Sequence, residues 1–153
     1  MVYNEIKGDL FEVGSEYCLA HCISADFKMG LGIAKTFADL GCKRELFKRL
    51  PNYDWTKNSH SLWTKIPMRE FEFPKGVIHL VTKDRYFNKP TYQAIYDALH
   101  DLKLQNINEG TPMKIAMPKI GCGLDKLEWN KVREIILKVF EKTDLEILVC
   151  SLD

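Results

Sequence analysis

One design, used twice, constrains this chain most. A strand-length apolar run ends, glycines follow, and helical spacing begins. The first run, Tyr17 to Ser24, is apolar over most of its length rather than alternating. Strands of that kind are buried on both faces and belong to parallel sheets covered by helices. Gly30-Leu31-Gly32 comes next, and Ile33, Phe37 and Leu40 then keep one helix face until Gly41, where a C-terminal stop belongs. The second run is a short strand, Ile115 to Met117, leading into Pro118-Lys119-Ile120-Gly121-Cys122-Gly123. An amphipathic helix follows, with Val132, Ile135, Ile136 and Val139 on its buried side.

The remaining pattern agrees with that start. Val2 to Lys7 reads as a short strand, and Lys43 to Leu50 as a helix stopped by Pro51. Asn52 to Lys75, with Trp55, Trp63, Phe71 and Phe73, shows no clear period beyond a strand near Leu62 to Ile66. Val77 to Thr82 is a clearer strand with Lys83, Asp84 and Arg85 at its polar end. Thr91 to Leu104 reads as a helix with Tyr92, Ile95, Tyr96, Leu99 and Leu102 on one core stripe, and Leu145 to Cys150 as the last strand. Alternating strands and helices predict a three-layer α/β/α sandwich with a mixed, mainly parallel sheet. A chain of 153 residues fits one domain, 1–153, with one core.

Composition excludes several classes. The formal net charge of +1 argues against bare duplex DNA or an anionic membrane as a partner. No run approaches the ~18 apolar residues of a membrane span. Met1 to Glu5 lacks the basic start and apolar stretch of a signal peptide. An intracellular protein, cytoplasmic or nuclear, is expected. Five cysteines without a C-x-x-C pair point to neither a disulfide framework nor a structural zinc site. No metal and no cofactor is expected.

Glycines let a ligand approach the backbone, and free N–H groups at a helix start attract phosphate. In open α/β sheets ligands sit beyond the carboxyl ends of the strands. Two such loops on one rim would clamp a diphosphate from both sides. Neither loop matches G-x-G-x-x-G or the Walker lysine pattern. Taken alone, Lys83 is a solvated lysine at a strand end, and Asp9 a turn residue after Gly8. Asp125-Lys126-Leu127-Glu128 fits a helix N-cap with a carboxylate three residues on. His21 reads as a satisfied core histidine, and Cys122 as a small packing residue. Lys43, Arg44, Lys48 and Arg49 read as a solvated helix face.

Five segments together resemble the macrodomain family over nearly the whole chain. They are Lys7-Gly8-Asp9-Leu10-Phe11, His21-Cys22-Ile23-Ser24, Met29-Gly30-Leu31-Gly32-Ile33-Ala34, Lys89-Pro90-Thr91-Tyr92 and Pro118 to Asp125. The likeness is greatest to the branch containing the terminal ADP-ribose protein glycohydrolase. The stretch Asn52 to Lys75 looks longer than its counterpart there. The resemblance implies a crevice that binds ADP-ribose, with Asp9 accepting from the adenine amino group and Leu10 beside the ring. It implies that Met29, Gly30, Leu31, Gly32, Ile33 and Ala34 contact the diphosphate and distal ribose. Lys119, Ile120, Gly121, Cys122, Gly123 and Leu124 would hold the phosphates and far ribose, and Ser24 and Leu152 would line the pocket.

The same resemblance implies chemistry by Lys83 and Asp125. Lys83 would attack the anomeric carbon of the distal ribose, and Asp125 would take and return protons. A lysine nucleophile must be neutral, which desolvation or a cationic neighbour favours; Arg85 is close in sequence. Implied substrates are ADP-ribosyl-glutamate on proteins, O-acetyl-ADP-ribose and ADP-ribosylated nucleobases, handled by a monomer away from membranes. Two other readings stay open: a non-catalytic ADP-ribose reader, and an ADP-ribose 1″-phosphate phosphatase in which His21 would matter more than Lys83.

Overall fold

A computed structural model describes residues 1–66, 76–106 and 113–152. The strands are β1 (Val2–Lys7), β2 (Tyr17–Ser24), β3 (Ser61–Lys65), β4 (Gly76–Lys83), β5 (Lys114–Met117) and β6 (Glu146–Ser151). The helices are α1 (Gly32–Asp39), α2 (Cys42–Arg49), α3 (Tyr92–Asn106) and α4 (Trp129–Phe140), with a 3-10 turn at Leu10–Glu12. The strands form one sheet in the order β1-β6-β5-β2-β4-β3. β3 runs antiparallel to β4, and the other four pairings are parallel. The mixed, mainly parallel sheet expected from the sequence is present, and β3 supplies the mixture.

Strand alternation sorts the core into two layers. Ala20, Ile78, Leu80, Ile115 and Ile147 face α3 and α4, packing on Ile95, Leu99, Val132 and Ile136. Leu19, Ile23, Val77 and Val81 face α1 and α2, packing on Phe37, Cys42 and Leu46. Helices therefore cover both faces, and β2 and β4 are apolar on both because neither face sees water. Phe37 is fully buried, so its loss to alanine should cost about 3–5 kcal/mol. On edge strand β1, Glu5 accepts from Arg133 and from the Trp129 indole (3.1 Å), which ties the first turn of α4 to the sheet. Those bonds, Arg133 first, hold the Glu5 carboxyl down at about 2.

Two sequence expectations change. α4 begins at Trp129 with Glu128 as N-cap and no side-chain capping bond, so Asp125 lies before the helix and does not cap it. Tyr96 is 37% exposed; it stands at the edge of the α3 stripe, stacked on His100, rather than in the core. Phe71 and Phe73 lie outside the described residues.

Candidate active site

Five parallel strands end on one rim, which gathers the loops after β1, β2, β4, β5 and β6. β2 and β5 are neighbours in the sheet, yet the chain leaves them toward opposite faces, β2 to α1 and β5 to α4. The loops part there and leave a crevice, the place where open α/β sheets hold ligands. Both glycine loops reach it. A Cβ on Gly32 would meet Leu124 Cδ1 at 3.5 Å, so the two loops face each other across a narrow gap.

The two loops achieve their shapes differently. In the loop after β2, the amides of Gly30 to Ala34 make no hydrogen bond among the described residues, and the Leu31 N-cap supplies none from its side chain. A helix start left open in this way favours an anion. The loop after β5 bonds to itself: Cys122 N to Lys119 O (3.2 Å), Lys126 N to Gly123 O (3.2 Å) and Leu127 N to Gly121 O (2.8 Å). Its glycines do not open a helix, because three residues separate Asp125 from the start of α4 at Trp129. Left-handed backbone at non-glycine positions occurs at Phe27, Met29 and Lys126, all within these two loops. Such strain marks positions held by the surrounding structure.

The site's charged centre lies between the loops. Lys83, the last residue of β4, extends Nζ to within 2.6 Å of Asp125 Oδ1. The side chains are 15% and 18% exposed, so the pair is screened from bulk water but open enough to meet a ligand. Cys22 adjoins both, and burial, with Asp125 beside it, pushes its thiol up to about 12. Burial also raises the Cys122 thiol, which bonds to Ile120 O at 3.3 Å. Neither sulfur is poised as a thiolate nucleophile. Among the described residues, no group of three His, Cys, Asp or Glu is placed to hold a metal.

The expected binding residues divide by burial. Asp9, Gly30, Leu31, Gly32, Gly123, Leu124 and Leu152 are exposed on the rim, while Ile33, Ala34, Lys119, Gly121 and Cys122 are half-buried. Leu10, Ser24, Met29 and Ile120 are at most 5% exposed; they support the loops from below. Asp9 Oδ1 accepts from Phe11 N at 2.9 Å, which caps the 3-10 turn and leaves Oδ2 for another donor. Of the ten exposed large hydrophobics among the described residues, Leu31, Tyr86, Phe87, Leu124 and Leu152 stand on rim loops. Apolar surface gathered in this way is a mark of a ligand mouth.

His21 is not at this rim. It is 2% exposed and its Nε2 meets His79 Nδ1 at 2.7 Å, with His79 Nε2 2.8 Å from Thr64 Oγ1. Burial, then the neighbouring His79, drives the His21 ring well below its ordinary range, and burial takes His79 to about 3.

Two residues of the site escaped the sequence reading. Asp26 accepts from Ser24 Oγ (2.5 Å), Lys28 N (3.1 Å) and Tyr86 N (2.9 Å), joining the loops after β2 and β4. Burial works against its charge, but the bonds from Ser24, Tyr86 and Lys28 hold its carboxyl below the usual value. Trp55 donates from Nε1 to Val81 O at 3.1 Å. The only available signal was Ser24-Ala25-Asp26 at a strand end, an Asx-type turn sequence. Arg85 sits with Asp26, Asp54, Trp55 and Asp84 around a shallow polar depression beside Lys83.

Comparison with known proteins adds to this geometry. No protein-family model matches the chain. It is 37% identical over 148 residues to the ADP-ribose glycohydrolase OARD1 of Homo sapiens, spanning 96% of this chain and 90% of that protein. Among solved structures, the macrodomain of Mycobacterium tuberculosis DarG superposes with a TM-score of 0.74 at 20% identity, covering 98% of this chain and 97% of that one. Thermosipho africanus DarTG in complex with ADP-ribose gives a TM-score of 0.74 at 20% identity, over 96% of this chain and 40% of that one.

Proposed function

The chain belongs to the family of the ADP-ribose glycohydrolase OARD1 and has the macrodomain fold, and on that premise we propose that it is a hydrolase releasing ADP-ribose from acyl-linked forms. Its substrates in this reading are ADP-ribosyl-glutamate on proteins and O-acetyl-ADP-ribose, with ADP-ribosylated nucleobases as a further class. The observation that carries the proposal is the 2.6 Å contact between Lys83 and Asp125 at the ligand rim. A reader of ADP-ribose has no need of a screened ammonium–carboxylate pair there.

ADP-ribose lies in the crevice between the loops after β2 and β5. Its diphosphate meets the open amides of Gly30 to Ala34 and the loop from Lys119 to Leu124. Asp9 takes the adenine amino group on Oδ2, and Leu31, Leu124 and Leu152 shield the mouth. A Cβ on Gly123 would have no protein neighbour within 4 Å, which leaves open space for a ligand at that point of the loop.

Asp125 removes a proton from Nζ of Lys83, and the neutral amine attacks C1″ of the distal ribose. The C1″–O bond breaks, the acyl group leaves as a carboxylic acid with the proton that Asp125 held, and a C1″–N bond joins the ribose to Lys83. Water deprotonated by Asp125 then attacks C1″, the C–N bond breaks, and the proton returns to Nζ. Both groups and both loops come from one chain, in keeping with a monomer. Among the described residues no helix is long and apolar enough to cross a membrane.

The phosphatase reading loses its main residue, since His21 is bonded to His79 inside the core. The test is parallel incubation with ADP-ribosyl-glutamate peptide, O-acetyl-ADP-ribose and ADP-ribose 1″-phosphate. Free ADP-ribose should appear from the first two and not from the third. Free ADP-ribose at about 100 times its Kd should also stabilise the fold by roughly 2.7 kcal/mol. Stabilisation without any cleavage would make the protein a reader.

A further inference from the structure

Regular alternation would point Lys83 the wrong way. Val77 and Val81 face α1 and α2, as does His79 beneath Phe37, while Ile78 and Leu80 face α3 and α4. Continued by period two, Lys83 would fall with Val81 on the α1/α2 side. Asp125 belongs to the opposite side: its loop packs Ile120, Cys122 and Leu127 on the α3/α4 core.

The pairing of β4 with β2 explains how the two meet. Ile23 pairs with Val81, but Ser24 pairs with Lys83, so Thr82 is an extra residue and the register shifts there. A bulge of this kind re-aims the side chains that follow it. Lys83 nevertheless reaches Asp125 Oδ1 (2.6 Å), whose loop packs with Cys22 on the α3/α4 core, the side that Leu80 and hence Thr82 face. Thr82 and Lys83 therefore share one side of the sheet.

The residues on either side of the bulge are held by bonds to other segments, on the β3 edge for Val81 and on the β2 edge for Lys83. Val81 N donates to His60 O (2.8 Å), and Ala25 N donates to Lys83 O (2.8 Å). Val81 O receives the indole N–H of Trp55 (3.1 Å). Beyond the bulge, Asp26 takes Tyr86 N on one carboxylate oxygen and Ser24 Oγ and Lys28 N on the other.

We propose that the bulge at Thr82, pinned by Trp55 before it and Asp26 after it, aims Lys83 at Asp125, which makes Trp55 and Asp26 positioning residues of the site. This rests on the reading of Lys83 as the nucleophile, and it assigns a purpose to the segment after Pro51. Misplacement of a reacting group by about 1 Å can cost as much as 10²-fold in rate.

Trp55→Phe removes the donor to Val81 O while keeping an aromatic ring against His60 and the core. Asp26→Asn loses one of its two sides, because an amide nitrogen cannot accept from Tyr86 N or Lys28 N. Both variants should lower kcat by about tenfold or more. For Trp55→Phe, KM and the Kd for ADP-ribose should stay within about twofold, since the amides of Gly30 to Ala34 are untouched; a general loss of packing would not split kcat from KM in this way. Trace acetylation read by peptide mass should show Lys83 reacting several-fold faster in both variants while other lysines are unchanged. That readout does not depend on turnover. Faster labelling beside a wild-type turnover indifferent to Lys83→Ala would sink the catalytic reading and leave the aiming role standing. Deletion of Thr82 restores regular pairing and should abolish turnover in protein that still folds. Wild-type kcat and wild-type Lys83 labelling in both point variants would overturn the proposal.

Discussion

The sheet carries two polar clusters, one in its middle and one at its rim, and they obey opposite rules. In the middle, His21 and His79 are 2% and 0% exposed and contact one another and Thr64. Burial keeps both rings neutral. At the rim, Lys83 and Asp125 are paired at 2.6 Å with 15% and 18% exposure. Water is distant from the first cluster and close to the second, so uncharged contacts suit one and an ion pair suits the other. The mid-sheet cluster should govern stability and the rim cluster activity.

The largest effects should fall on activity alone. Lys83→Ala should abolish cleavage of ADP-ribosyl-glutamate, by several orders of magnitude in kcat/KM, while ADP-ribose still binds. Asp125→Asn should lose about 10²–10⁴-fold in turnover. It should melt near wild type, because Asp125 caps no helix. Initial rates and melting curves on the same preparations check both. An active Lys83→Ala enzyme would dissolve the contrast.

Acid should act on the other cluster. The unfolded histidines titrate near 6.5, whereas His79 in the fold titrates at about 3 and His21 also well below 6.5. Across that window the unfolded chain binds protons that the fold refuses, so stability is present above pH 6.5 and is lost as pH falls. The slope is up to about 1.4 kcal/mol per pH unit for each histidine. Urea midpoints from pH 7 to pH 4 should show it, the slope should shrink in His79→Gln, and it should persist in Lys83→Ala.

The smallest effects separate two glycines of one loop. Gly121 has φ +73°, and a Cβ there would sit 2.9 Å from Leu127 Cδ1. Gly121→Ala should destabilise by about 1–3 kcal/mol. Gly123→Ala has open space and should stay within about 0.5 kcal/mol of wild type while weakening ADP-ribose. Chemical denaturation and calorimetry distinguish them.

The strands and helices were legible because apolar runs and helical spacing report burial directly. The apolar run Tyr17 to Ser24 coincides with β2 to the residue, and His21 within it is core. Proximity across the chain was not legible: 42 positions separate Lys83 from Asp125, and only the family resemblance paired them. The cap that Asp125 to Glu128 offers in the sequence does not form, because Asp-x-x-Glu is the same pattern in a turn as at a helix start; the left-handed Lys126 sends the chain through further turn first. The bulge at Thr82 leaves no mark in composition or period, since Val77 to Thr82 alternates no differently with or without it. Trp55 carries no periodic signal either, because its polar contact is a single bond to a backbone carbonyl.

The central claim is that Lys83 bonds to the ribose during turnover. The direct measurement is intact and peptide mass after mixing the enzyme with ADP-ribosyl-glutamate peptide in the presence of cyanoborohydride. An opened glycosylamine is an imine, which the hydride fixes as a stable amine. The account predicts an ADP-ribosyl adduct on Lys83 in wild type, absent in Lys83→Ala. Full turnover with no adduct on Lys83, together with undiminished cleavage by Lys83→Ala, would contradict it.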